Sequence, residues 1–454
     1  MAQGPLPGAG GVDETPIPAE PPAVLAGTRV RVETMGCRVN RSDAAQLRAE
    51  ISAMGCTVVD DAPYDIYLLN TCTVTQSADA DARRMARKAR RLCPQAKVVL
   101  TGCYAQVDPE TLNAMDEVDL VVGNDGKADL ASRIATLATS AGSVGAGVDG
   151  QISRISDVSA GVLDAALLSA GTTRFFLKVQ EGCDVRCAFC IIPKARGSAR
   201  SMAPDGVIGQ LNRAYDAGYR EAVLAGIHLG GYGEDLGSDF SALLARVLDE
   251  TDMPRIRFGS LEPWGLSENF VALFSENPRL LPSLHLPLQS GSASVLRRMR
   301  RPCTPDFYRR QVTRILAAKP DLYLSADVLT GFPGETDAEF EDGFQFIESL
   351  PFAHLHVFPY SPRAGTPAAA MAQRVRDDVK KQRVHRLIAL SDAKRQVALG
   401  AQVGRRTEVL VEVGGRGHSH NNFTVNIPPS SPPGSLVSVT ITGVDGDALV
   451  GEPI

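Results

Sequence analysis

Three of the chain's nine cysteines, Cys183, Cys187 and Cys190, fall within the stretch EGCDVRCAFC. Thiols crowded at this CxxxCxxC spacing suit a soft metal. A structural zinc site needs four ligands and usually arrives as paired CxxC knuckles. Here the next cysteine is Cys303 and the next histidine is His228, so zinc stays open only with a distant fourth ligand. Iron-sulfur cubes are held by thiolates, normally four, and three leave one iron open. An open iron suits an amino acid presenting both amine and carboxylate, such as the methionine end of S-adenosylmethionine. Electron transfer into that sulfonium would release a carbon radical, chemistry that the protein has only to position. The spacing therefore predicts a 4Fe-4S cluster whose missing ligand is the cosubstrate.

Cys37, Cys72 and Cys103 are far apart in sequence, yet each sits just past an apolar strand pattern, in TRVRVETMGC, IYLLNTC and KVVLTGC. Loops leaving one edge of a parallel sheet converge. A single cysteine so placed is commonly a small buried hydrophobe, but three at matching positions predict a second three-thiolate cluster. Cys56, Cys93 and Cys303 lack the pattern and are expected to be packing or surface residues. Farther along, GIHLGGYG, SLEPWG, LPLQSG and TGFPGET follow apolar runs. They make Gly226, Glu262, Gln289 and Glu335 candidates for binding cosubstrate or substrate, beside the plainer reading that a glycine there only forms a turn.

The elements that must position these groups divide the 454 residues into parts. Residues 1–27, rich in Pro, Gly and Ala, read as a disordered tail. Residues 28–138 alternate strand and helix signals, as in a parallel α/β domain. Residues 139–170, with ATSAGSVGAGVDG, read as a linker. Residues 171–400 alternate again, with strands near TRFFLKV, EAVLAG, RIRFGS, SLHLPL, LYLSADVLT and HLHVF, which predicts a (β/α)6-type partial barrel. Ligands in such folds sit at the C-terminal ends of the strands, where Cys183 falls. Residues 401–454 carry short strands and Gly- or Pro-rich turns, which predicts a small all-β barrel of oligonucleotide-binding type. The fold class is thus α/β with an all-β C-terminal domain. Hydrophobic residues make up 44% and charged residues 22% of the chain, an ordinary globular balance. No run reaches the roughly 18 apolar residues of a spanning helix, and MAQGPLPGAG lacks the form of a secretory signal. A cytoplasmic location without membrane contact is expected.

With both triads in place, the chain resembles the methylthiotransferases of the radical S-adenosylmethionine superfamily, from about Thr28 to the C-terminus. The resemblance implies an N-terminal methylthiotransferase domain whose auxiliary 4Fe-4S cluster is held by Cys37, Cys72 and Cys103. It implies a radical barrel whose cluster is held by Cys183, Cys187 and Cys190, then a TRAM-like β-barrel that binds RNA. TMGCRVNRSD, NTCTVTQSAD, TGCYAQVDPE, LKVQEGCDVRCAFCIIPKARG and GIHLGGYG are most similar to the branch acting on threonylcarbamoyladenosine in tRNA. CRVN matches neither the glutamine-methionine-asparagine motif of the isopentenyladenosine branch nor the proline-lysine-asparagine motif of the ribosomal-protein branch. The implied reaction places a methylthio group at C2 of adenine 37 beside the anticodon and consumes two S-adenosylmethionine, one as methyl donor and one as radical source. The implied partners are the tRNA anticodon stem-loop, an electron donor such as flavodoxin or ferredoxin, and a sulfur donor of unknown identity.

Charge complicates the RNA reading. Residues 402–454 hold three Arg against five acidic residues, whereas phosphate binding needs Lys or Arg. Reading of bases through His418, His420, Asn421 and Phe423 is one expectation, and a solvated hairpin tip is the other. Basic residues concentrate in ARRMARKARR, in RRMRR and over residues 373–406, which predicts either solvated helix faces or a tRNA footprint. Rival functions are methylthiolation of a ribosomal protein or of isopentenyladenosine tRNA, and, from another class, a noncatalytic iron-sulfur protein that senses redox state while binding RNA.

Overall fold

The computed structural model describes residues 25–139, 172–429 and 431–454. The expected tail, apart from residues 25–27, and the expected linker, apart from residue 139, lie outside the described residues.

The N-terminal unit is a five-stranded parallel sheet in the order β2-β1-β3-β4-β5. Its strands are β1 Arg29–Thr34, β2 Thr57–Val59, β3 Ile66–Thr71, β4 Lys97–Gly102 and β5 Leu120–Val122. Every residue of the central β3 is buried, as expected of a parallel strand covered on both faces. One face carries a core of Val30, Val32, Leu47, Ile51, Leu68 and Val122. The other packs Tyr67, Leu69, Val98 and Leu100 against Ala82, Ala86 and Ala89 of α2 Gln76–Leu92. Strand order reverses direction between β1 and β3, which is where sheets of this order place a ligand. Cys37 and Cys72 leave the sheet there. Cys37 is also the N-terminal residue flanking α1 Arg38–Ala53.

Six further parallel strands follow in sequence order: β6 Phe175–Lys178, β9 Glu221–Ala225, β10 Arg255–Phe258, β11 Ser283–His285, β12 Tyr323–Thr330 and β13 His354–Pro359. They form two three-stranded sheets joined through the bridges Ile256 to Leu280 and Ser260 to His285. Between β6 and β9, the short strands β7 Gln180–Glu181 and β8 Arg200–Ser201 pair across the cysteine loop. The result is a partial barrel with β6 at one edge. That edge is covered by α1, where Ser42 Oγ accepts from the Lys178 backbone N–H at 3.2 Å and Arg41 lies over the Phe176 ring. Covering an edge strand removes a template for unwanted pairing. No described helix is long and apolar enough to cross a membrane.

The last unit is a closed barrel of β14 Arg406–Glu412, β15 Arg416–Ser419, β16 Thr424–Asn426, β17 Leu436–Asp445 and β18 Ala448–Pro453. Its contact with the larger barrel corrects both readings of the histidine hairpin. His420 bridges Asp321 at 2.6 Å and Thr407 at 2.7 Å. His418 lies 3.5 Å from Glu412 and gives its carbonyl to Arg255, while Asn421 is buried and Phe423 joins the small barrel's core. The hairpin is therefore neither a solvated tip nor a free base reader. It is clamped to the inner side of β9 and β10 by two arginines that share one acid. Arg255 and Arg257 hold the two oxygens of Glu221 at 2.8 and 2.7 Å. Arg255 then reaches Glu408 and the His418 carbonyl, and Arg257 the carbonyls of Ser419 and His420.

Burial works against the charge on Glu221, but Arg257 and Arg255 outweigh it and hold the pKa at about 2, against 4.5 for a free glutamate. The folded value is the lower one. The clamp's contribution is thus complete above about pH 4.5 and drains as pH falls toward 2. Glu221→Ala strands two buried guanidinium groups, a change that typically costs about 3–5 kcal/mol. Chemical denaturation at pH 7 should show that loss, and limited proteolysis should release the C-terminal barrel early. Equal stability and an unchanged digestion pattern would rule out the clamp.

Candidate cluster and cosubstrate site

The loop after β7 carries Cys183, Cys187 and Cys190, and it turns tightly. Gly182 has φ +73°, and a Cβ there would meet the Ser198 carbonyl oxygen at 1.9 Å, so only glycine fits. The loop is tied down by Cys183 N–H donating to the Gly197 carbonyl and Ala188 N–H to the Met299 carbonyl. All three cysteines are free, and their sulfurs lie close enough to bear on one another's charge. Burial pushes the Cys183 thiol up to about 11 and Cys190 to about 12. The N–H groups of Val185 and Ile192 donate to those two sulfurs and oppose that rise. Arg301 Nη1 sits 3.6 Å from the Cys187 sulfur.

The other three cysteines are brought together by the sheet edge. Gly36, at φ +89°, lets β1 turn against Cys72, since a Cβ there would lie 2.8 Å from the Cys72 sulfur. Burial pushes Cys72 up to about 11, a Val74 N–H opposes it, and Cys103 and Cys37 add to the rise by lying near. Cys103 opens the short helix α3 Cys103–Val107 and lies 3.7 Å from Asn124 Nδ2. Both groups are three thiols with N–H donors aimed at sulfur, which favour the thiolate that metal binding requires. The donor sets fit iron-sulfur clusters.

A buried ion network joins the two triads. Arg196 is fully buried and donates to Glu181, to Asn40 Oδ1 and, at 3.0 Å, to Asp43. Lys127 and Lys178 each reach Asp43 at 2.7 Å, and Lys178 reaches Glu181 at 2.9 Å. Burial alone would raise the Asp43 pKa, but Lys127, Lys178 and Arg196 hold it well below the carboxylate range. Three cations face two carboxylates here, and Arg196 lies close to Cys103 and Cys37. The surplus positive charge suits a neighbour built from three thiolates.

The four candidate binding residues separate. Glu262 is buried near the Cys183 sulfur, accepts from the Gly230 N–H at 3.4 Å and stands 3.8 Å from His228 Nε2. Burial raises its pKa. Gly226 opens the loop that carries His228, and Gln180 Oε1 accepts the His228 N–H at 2.7 Å. Gln289 takes φ +72° and bridges β12, its N–H donating to the Asp327 carbonyl while its own carbonyl accepts from Leu329. Glu335 does not join this group. Its Oε2 accepts from the Gly331 N–H at 2.6 Å and pairs with Arg383 at 2.7 Å, fastening the loop after β12 to the long helix Asp377–Gly400.

Other residues at the site had weaker signals. Trp264 Nε1 donates to His228 at 3.3 Å, and the Arg301 guanidinium lies over the Trp264 ring, 4.6 Å from its centre. Arg301 was visible only as part of a basic run. That run is not a bare surface: Arg298 pairs with Glu339 at 2.8 Å and Arg301 contacts Cys187 of the cysteine loop. In α2, Arg83 bonds Tyr104, Arg84 pairs with Asp81, Arg87 with Glu117 and Arg90 with Asp119, while Arg84, Arg87, Lys88 and Arg91 face solvent. Cys56 lies in the sheet core, Cys93 flanks the end of α2, and Cys303 packs on the barrel core.

Residues 29–123 match the family described as Uncharacterized protein family UPF0004, and residues 177–347 match the Radical SAM superfamily. Threonylcarbamoyladenosine tRNA methylthiotransferase MtaB of Bacillus subtilis is 40% identical over 371 residues, 80% of this chain and 80% of that one. The protein of the same name from Aquifex aeolicus is 35% identical over 91% of this chain and 100% of its own length. tRNA-2-methylthio-N(6)-dimethylallyladenosine synthase of Opitutus terrae is 34% identical over 93% of this chain and 97% of its own. Among solved structures, the radical S-adenosylmethionine methyltransferase TsrM of Kitasatospora setae superposes with a TM-score of 0.52 over 76% of this chain and 77% of that one. At 14% identity the likeness is one of fold.

Two cubes require about eight iron atoms per chain after anaerobic reconstitution. Changing Cys183, Cys187 and Cys190 together to Ala should leave about half, and so should the triple change at Cys37, Cys72 and Cys103. Iron analysis beside the visible absorption of each variant measures this. Unchanged or wholly lost iron in either variant would exclude two independent sites.

Proposed function

The chain belongs to the radical S-adenosylmethionine methylthiotransferases, and from that membership we propose that it installs a methylthio group at C2 of N6-threonylcarbamoyladenosine at tRNA position 37. The observation that carries the reading is the pairing of two three-thiol groups, one on each side of the Arg196 network. Cys183, Cys187 and Cys190 hold the radical cluster, and Cys37, Cys72 and Cys103 the auxiliary one. A cluster held by Cys183, Cys187 and Cys190 would supply a site for S-adenosylmethionine and the electron for its reductive cleavage. The chain's own residues bind and orient. Gln180 fixes the His228 backbone, and the His228 ring meets Glu262 and Trp264, a polar wall beside Cys183 for the cosubstrate. Arg301 donates toward Cys187 and stacks over Trp264, joining this wall to the cysteine loop. Two S-adenosylmethionine molecules are consumed, one as methyl donor and one as radical source, and the RNA substrate places the enzyme in the cytoplasm.

Relatives named for threonylcarbamoyladenosine and for dimethylallyladenosine both align over most of the chain. Both act on tRNA by name, which favours RNA over a ribosomal protein. The buried contacts shared by the two cysteine units favour a working enzyme over a redox sensor, which would need only one cluster.

The two units should separate chemically. Replacing Cys37, Cys72 and Cys103 with Ala should spare cleavage of S-adenosylmethionine to 5'-deoxyadenosine yet abolish the methylthio nucleoside. Replacing Cys183, Cys187 and Cys190 should abolish both. Chromatography of 5'-deoxyadenosine beside mass analysis of digested tRNA reads the result, with folding checked first. Methylthio product from a folded N-terminal triple variant would refute the assigned roles.

A further inference from the structure

On β11, β12 and β13 the side chains alternate. Leu284, Leu324, Ala326, Val328 and Leu355 join the core beneath the helices. The residues between them, His285, Ser325, Asp327, His354 and His356, therefore face the barrel interior. Register sets Asp327 beside His356, and Ser325 beside both His285 and His354. His285 Nε2 lies 3.3 Å from Asp327, and its Nδ1 lies 3.0 Å from Ser325 Oγ. The His356 ring meets His285 and His354 edge-on, at 5.3 and 4.6 Å between centres. Part of His356 reaches solvent although its ring is packed between two others, and among the described residues its ring nitrogens make no hydrogen bond.

Arg38 enters the same space from the first turn of α1. Its Nη1 donates to the Phe258 carbonyl at the end of β10, 2.7 Å away, and its guanidinium lies near Asp327 and His356. Arg41 and Arg174 crowd it. Arg174 is taken by Glu412 at 3.1 Å, whereas Arg38 and Arg41 reach no carboxylate among the described residues. From the other side comes Arg301, which touches the Cys187 sulfur and also lies near Asp327. This polar patch thus spans the space between the neighbour of Cys37 and the partner of Cys187, where the target base must sit if both triads are to serve it.

An apolar substituent on that base would leave Arg38 dehydrated without a counter-charge and the His356 ring without a hydrogen-bond partner. A threonylcarbamoyl group carries a free carboxylate, a hydroxyl and a urea, and would satisfy them. We propose that Arg38 and His356, the latter set against the His285 ring, recognise the carboxylate-bearing N6 substituent of the target adenosine, an inference that rests on the substrate reading above. Arg38 supplies the charge. His356, which burial, His285 and His354 push down to about 4, is neutral at pH 7 and offers one donor and one acceptor to the uncharged part of the substituent.

The test uses the anaerobically reconstituted full chain and four anticodon stem-loops. They carry at position 37 threonylcarbamoyladenosine, its carboxylate methyl ester, isopentenyladenosine or adenosine. Fluorescence anisotropy should show the acid binding about tenfold more tightly than the ester, as one charge-assisted contact requires. Arg38→Gln should erase that difference while leaving adenosine RNA bound as before, Arg38→Lys should restore part of it, and His356→Ala should weaken acid and ester alike without touching adenosine RNA. Affinity for S-adenosylmethionine, whose carboxylate is the competing anion, should not change in Arg38→Gln. Equal binding of acid and ester by the parent protein, or a loss in Arg38→Gln confined to S-adenosylmethionine, would overturn the site. Parent enzyme that binds the acid form but converts only isopentenyladenosine RNA to methylthio product would overturn the substrate reading instead.

Discussion

Arg196 is wholly buried, yet it donates to Glu181 of its own loop and to Asn40 and Asp43 of α1. Taking a guanidinium and two carboxylates out of water costs several kcal/mol per ion before they meet. The position is tenable only because Lys127 and Lys178 complete the set. The same contacts fix how the N-terminal sheet sits on the barrel. Ser42 lies on the edge strand, Asn124 ties α3 to the Ala195 carbonyl, and Arg363 reaches back from the far side of the barrel to Asp79 at 2.6 Å. The spacing of the two thiol groups is therefore set by an ion network rather than by a flexible hinge.

The geometry also explains why α1 is central. It begins at a cysteine of one triad, closes the open edge of the barrel, and sends Arg38 into the interior. A single helix thereby serves metal binding, barrel closure and the lining of the substrate space. A shift along its axis would disturb all three.

How much of this was legible in the sequence followed the range of the interactions. The first triad could be read from its CxxxCxxC spacing and the second from three cysteines just past strand patterns, and both signals are local. Glu262 could be read the same way, as a polar residue after a buried strand. Glu335 obeyed that rule and still turned to the long helix, because Arg383, 48 residues on, claims its carboxylate. The hairpin of His418 and His420 looked exposed because its partners, Arg255, Arg257 and Asp321, lie about a hundred residues or more upstream. The basic run RRMRR hid Arg301, whose purpose depends on Cys187, 114 residues away. CRVN was readable as text, but nothing local could say that its arginine reaches the end of β10.

The Arg196 network carries a consequence for how the chain is made. Asn40 and Arg196 are 156 residues apart in sequence, so at usual ribosomal speeds the first waits roughly 10 to 30 s for the second. During that interval the nascent N-terminal sheet holds Asp43 without Lys178 or Arg196, and its three thiols without the barrel that shields them. A domain that emerges first yet completes its electrostatics last is a natural client for chaperones. Its clusters are best delivered after the barrel has left the ribosome.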